Sequence, residues 1–179
     1  ESAVPLQVEK TIIRAPEELD ALTALTRKEV FIKVFGDYGH VRKPEVQGIF
    51  LMDEERAFYV DCLHISPEEA AQAVNHLNLS LSGHDIKDDV FSLMSYGMTD
   101  FNISFDTAIA EYVLDVSRSK YDLKTLALEK LHQDIPDQNE FVSGIGQIAL
   151  FSDNSAACMD YGVLLGSITM ALRRCQKPE

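Results

Sequence analysis

The side chains that could do chemistry in this sequence are few, and each has a plainer reading beside it. Asp85, Asp88 and Asp89 crowd the first turn of an expected helix. Carboxylates are ligands for hard divalent cations, yet the positive end of a helix dipole accounts for acids there without any metal. Gly144-Ile145-Gly146-Gln147-Ile148-Ala149 imitates a dinucleotide-binding loop. That loop needs a hydrophobic strand leading into it, and Gln138-Asn139-Glu140-Phe141 is polar. His64, His76 and His132 share no metal-ligand spacing, and Ser82-Gly83-His84 lacks the flanking glycines of a nucleophile elbow. Cys62, Cys158 and Cys175 are distant and odd in number, which reads as reduced thiols rather than a disulfide framework or a zinc site.

Elements with clear start and stop signals hold these residues. Lys10–Arg14 reads as a short strand, and Pro16-Glu17-Glu18 opens a helix through Leu19, Leu22 and Leu25. Val30–Phe35, Gln47–Met52 and Ala57–Val60 are β-rich and separated by turn residues, as in an antiparallel meander. Ser66-Pro67-Glu68-Glu69 is a capping box for a helix to about Leu77. A short strand at Leu79–Ser82 follows, then helices over Asp85–Tyr96, Phe105–Leu114, Asp122–Leu131 and Ser155–Arg174. Strands first and alternating helices later imply an α/β domain on a mixed sheet.

Bulk composition narrows the function classes. The chain has 179 residues and reads as one domain over 1–179 with 46% apolar content. No apolar run reaches the length of a bilayer span, and no membrane partner is expected. The absence of an initiator Met suggests a piece of a longer protein. Sixteen Lys and Arg face 29 Asp and Glu, for a net charge of −13. A domain that grips nucleic acid alone usually carries a basic face, so autonomous DNA binding is not expected. The nine Phe and six Tyr fall at core spacing rather than on a base-stacking platform.

Three segments carry a family resemblance. His84-Asp85-Ile86-Lys87-Asp88-Asp89, running on to Tyr96-Gly97, is similar to the N-L-K-Y-D helix of proofreading exonucleases. Phe105-Asp106-Thr107, continuing to Tyr112 and Leu114, resembles their F-D-T-x-x-x-x-Y-x-L helix. Tyr121-Asp122-Leu123 through Leu126-Ala127 matches the next helix in order and spacing. The chain thus resembles the 3′–5′ exonuclease-like domain of bacterial family A DNA polymerases (DNA polymerase I). The implied fold is α/β and ribonuclease-H-like, a mixed sheet of about five or six strands with helices on its faces.

Such exonucleases cut a phosphodiester with two divalent metals held by four carboxylates. A D-x-E pair sits on the first sheet strand, one Asp opens the middle helix, and one Asp lies on the last helix. On alignment with V-F-A-F-D-T-E the pair falls on Val34 and Gly36, neither of which can bind a metal. Asp37 comes one residue late, and a Lys33 pointing inward repels cations. Asp89 keeps the third position. Asp160, or Met159 in an equally good alignment, takes the fourth. The Tyr four residues ahead of that Asp becomes Ala156. Asp89 and Asp160 are thus remnant positions and weak single-ion candidates, or simply solvated helix residues. Asp106 reads as a helix N-terminal residue rather than a catalytic one.

The resemblance implies a vestigial, inactive proofreading domain acting as a structural module of a DNA-dependent DNA polymerase in replication and repair. Its expected partner is the polymerase domain of the same parent chain. It needs no cofactor of its own, whereas the parent uses Mg²⁺. DNA is met through the parent, with Lys87, Arg118, Lys120 and Lys124 as points that brush the template. The implied location is the bacterial cytoplasm, at the nucleoid. The competing expectations are an active exonuclease using Asp37, Asp89 and Asp160, and a stand-alone protein-binding module marked by an exposed apolar patch.

Overall fold

The computed structural model describes residues 5–37, 45–137 and 155–176. The strands are β1 (Glu9–Ile13), β2 (Glu29–Asp37), β3 (Glu45–Met52), β4 (Arg56–Asp61), β5 (Ser80–Gly83) and β6 (Asn102–Asp106). They form one six-stranded sheet in the order β1-β4-β3-β2-β5-β6. β2, β3 and β4 are the expected antiparallel meander, while β1 joins β4, β5 joins β2 and β6 joins β5 in parallel. The helices are α1 (Pro67–Asn75), α2 (Lys87–Ser95), α3 (Thr107–Leu114), α4 (Leu123–Leu131) and α5 (Ser155–Gln176).

Strand alternation divides the core into two layers. Val30, Ile32 and Val34 of β2 pack with Leu22, Leu25, Val74 and Leu93 on one side of the sheet. Phe31 and Phe35 pack with Phe50, Met52, Ile168 and Leu172 on the other, beneath α5. α5 is long and apolar enough by length and composition to cross a membrane, contrary to the sequence expectation, but 72% of that stretch is buried. It is the core helix of the second layer. Its close approach depends on Gly162, where an added Cβ would lie 2.6 Å from the Phe50 ring. Gly162→Ala is therefore expected to lower unfolding free energy by about 1–3 kcal/mol in a denaturant titration, overpacking outweighing the gain in helix propensity.

Three boundaries differ from the sequence reading. Pro16–Leu25 is a 3₁₀ segment. Its Leu19, Leu22 and Leu25 recur every third residue, the spacing that eclipses side chains in a 3₁₀ turn. α2 begins at Lys87, because Asp85 adopts a left-handed φ of 52° with its N–H bonded to Asp106. Phe105 and Asp106 end a strand instead of opening a helix. That sixth strand is an edge whose first three residues are exposed, and its Asn-Ile-Ser-Phe-Asp alternation is the signal that marks it.

Candidate functional site

A cleft of about 590 Å³ opens beside the middle of β2, where β5 ends and α2 begins, beneath α5. Crevices at the carboxyl ends of strands are where open α/β sheets place their ligands. Its walls include Lys33, Asp85, Asp88, Asp89, Tyr161 and Leu165. Each element contributes by its own period. β2 presents Phe31 and Lys33, two residues apart on the α5 side. α5 presents Tyr161, Leu165 and Thr169, four apart on one helical face. α2 presents Asp88 and Asp89 from its first turn.

Asp89 is 6% exposed, and its Oδ1 accepts the Val34 N–H at 2.8 Å. Burial pushes its carboxyl up to about 6, against the opposing pull of the Lys33 ammonium and the Val34 N–H. Lys33 extends over the Phe35 ring, its Nζ 5.9 Å from the centroid. The buried carboxylate therefore bonds to backbone near the Lys33 ammonium.

The positions expected from the alignment are corrected here. The Val34 side chain lies in the opposite core layer, with Leu22 and Leu25. A slip of an odd number of residues exchanges the faces of a strand, so the β2 positions turned to the cleft are Phe31 and Lys33 rather than Val34 and Gly36. Neither pair contains a carboxylate. Asp160 is also displaced from the site. Its carboxylate accepts from Lys10 Nζ at 2.8 Å, with the side chain 53% exposed, and it borders a separate smaller cavity. Met159 is buried in the second core layer and Ala156 is exposed. The α5 tyrosine that lines the cleft is Tyr161, whose hydroxyl donates to the Pro136 carbonyl at 3.2 Å. Four residues after it stands Leu165. The missed signal was simple: Tyr161 is the single tyrosine of α5.

Asp37 pairs with Glu45 at the far end of β2, past an irregularity after Phe35. It stands four residues beyond Lys33, about 13 Å along an extended strand. Gly144–Ala149 lies outside the described residues. Among the described residues no group of three or more His, Cys, Asp or Glu is arranged to hold a metal ion. A two-metal centre needs several convergent oxygen ligands, and Phe31, Lys33 and Leu165 supply none, so the donor set does not fit one.

The remaining candidates have structural partners. Asp106 caps α3, accepting from Ala108 N at 2.9 Å and Ile109 N at 3.4 Å. Its carboxylate also takes the N–H groups of Asp85 and Ile86, joining α3 to the start of α2. Ser82 Oγ donates to the Val30 carbonyl, and His64 Nδ1 lies 3.0 Å from Asp61. Of the cations expected to brush DNA, Arg118 is paired with Glu129, and Lys124 lies 3.8 Å from Asp137. Cys62, Cys158 and Cys175 form no disulfide, and burial pushes Cys62 up to about 12. A second cavity of about 450 Å³ adjoins at Phe31 and Thr169, and its Lys28 and Arg173 are paired with Asp53 and Glu29.

The same fold occurs in solved structures of low sequence identity. The catalytic core of RRP6 from Trypanosoma brucei superposes with a TM-score of 0.65 at 16% identity, over 97% of this chain and 49% of that one. RNase D of Escherichia coli, an exoribonuclease involved in structured RNA processing, gives 0.67 at 12%, over 94% and 44%. The POL domain of Pol1 from M. smegmatis, in complex with DNA primer-template and dNTP, gives 0.62 at 17%, over 92% and 26%. The chain thus spans half or less of each of these three. No curated protein sequence matches it. The family of the DNA polymerase I ribonuclease H-like domain matches residues 30–157, and the chain belongs to that family.

Proposed function

We propose that this chain is a catalytically silent exonuclease-type domain, serving as a structural module within a DNA-dependent DNA polymerase of replication and repair. The observation that carries the reading is the cleft itself. Its one buried carboxylate, Asp89, is bonded to the Val34 N–H. Phe31, Lys33 and Leu165 occupy the other positions that face it. Metal ions supply nucleophile activation and charge stabilisation in phosphodiester cleavage. Without ligands for them, Asp85, Asp88 and Asp122 leave the cleft rim acidic toward a phosphate backbone. The domain needs no cofactor, while the parent polymerase uses Mg²⁺ and meets DNA in the bacterial cytoplasm. The rival reading, an active site built from Asp37, Asp89 and Asp160, loses support because Asp160 pairs with Lys10 away from the cleft.

Metal binding offers a test that does not depend on turnover. Ligands that bind the folded state raise its melting temperature in proportion to the logarithm of their concentration. Adding millimolar Mg²⁺ or Mn²⁺ is expected to shift the melting temperature of the chain no more than it shifts that of Asp89→Asn. A rise of several degrees with Mn²⁺, abolished by that substitution, would contradict the reading.

A further inference from the structure

α3 is built inside out. Its sequence, Thr-Ala-Ile-Ala-Glu-Tyr-Val-Leu, is largely apolar, yet its buried residues are Thr107 and Glu111. Ile109, Tyr112 and Val113 form an i, i+3, i+4 stripe facing outward, 63%, 55% and 73% exposed. Val116 continues it just past the helix end at 68%. An amphipathic surface helix does the reverse, turning its apolar stripe to the core. Inward, Glu111 is fixed by Lys130 at 3.3 Å and by Gln176 Nε2 at 3.0 Å, so rotating the helix to bury the stripe would break this network. A contiguous apolar stripe of this kind marks an interaction surface.

Resting on the structural-module reading, we infer that the outer face of α3 is the surface on which the polymerase segment of the same parent polypeptide docks. Two observations select that occupant. Gln176, the last described residue of α5, donates to the Thr107 carbonyl and to Glu111, both at 3.0 Å. Any polypeptide that continues past α5 therefore departs beside α3, and its tethering gives it a high effective concentration there. The Pol1 chain of M. smegmatis, of which this chain covers 26%, contains several times this much polypeptide. The stripe itself carries no charge in a chain of net −13, which suits an apolar contact rather than nucleic acid.

Amide hydrogen exchange in the 179-residue chain and in the longer parent polypeptide tests the assignment. Residues 109–116 are expected to exchange at least tenfold more slowly in the parent. Ile109→Asp with Val113→Asp should remove that protection while leaving the melting temperature of the 179-residue chain within a few degrees. Equal exchange in both proteins overturns the assignment. Protection confined to another face overturns it while leaving the module reading intact, and no added protection anywhere defeats both. Protection that rises with concentration of the 179-residue chain alone overturns it in favour of a second copy.

Discussion

Replacing Asp89 by Asn is expected to stabilise the domain above pH 7, although the residue is a buried carboxylate in the cleft. The buried carboxyl titrates near 6 instead of 3.8. A folded-state value above the unfolded one means the folded chain binds more protons between these values. Stability therefore falls as pH rises from about 4 to about 6 and stays lower beyond. The elevation corresponds to about 3 kcal/mol against the charged form. Asn keeps an oxygen for the Val34 N–H, now 2.8 Å from Oδ1, and carries no charge to desolvate. Urea unfolding at pH 8 should show a gain of about 1–3 kcal/mol, and the fall between pH 4 and 6 should flatten. An Asn variant less stable at pH 8 would mean that Asp89 is held as a needed anion.

Removing the carboxylate of Glu111 should do the opposite. It is 2% exposed and joins three helices, from α3 to Lys130 of α4 at 3.3 Å and Gln176 of α5 at 3.0 Å. Arg118 also lies 4.0 Å away. Glu111→Ala leaves a half-buried ammonium without its carboxylate and a buried amide with only the Thr107 carbonyl as acceptor, for an expected loss of about 3 kcal/mol. Glu111→Gln retains an acceptor and should recover part of it. Chemical denaturation of the three proteins decides this, and a loss below about 1 kcal/mol for Ala would show that solvent already satisfies Lys130.

Much of the architecture could be read from the chain because local signals agreed with the tertiary outcome. Ser66 caps α1 through the Glu69 N–H, as its spacing suggested, and Asp122, where a helix was expected to begin, caps α4 through the Thr125 N–H. The meander followed from its turns. The site was harder, because Phe31, Lys33 and Leu165 are not residue types that mark chemistry, so only strand and helix periodicity identifies them as cleft residues. On β2 the alignment selected Val34, whose side chain lies on the opposite face of the sheet from Phe31 and Lys33. On α5, five residues separate Ala156 from Tyr161, more than one helical turn and enough to move the selected stripe toward Lys10.

The most direct measurement incubates the chain with 3′-labelled single-stranded DNA and excess Mg²⁺ or Mn²⁺, beside Asp89→Ala. The cleft described here predicts no shortening above that control in either metal. Metal-dependent shortening that Asp89→Ala abolishes would contradict it, and would mean that carboxylates other than those facing the cleft assemble around the DNA end.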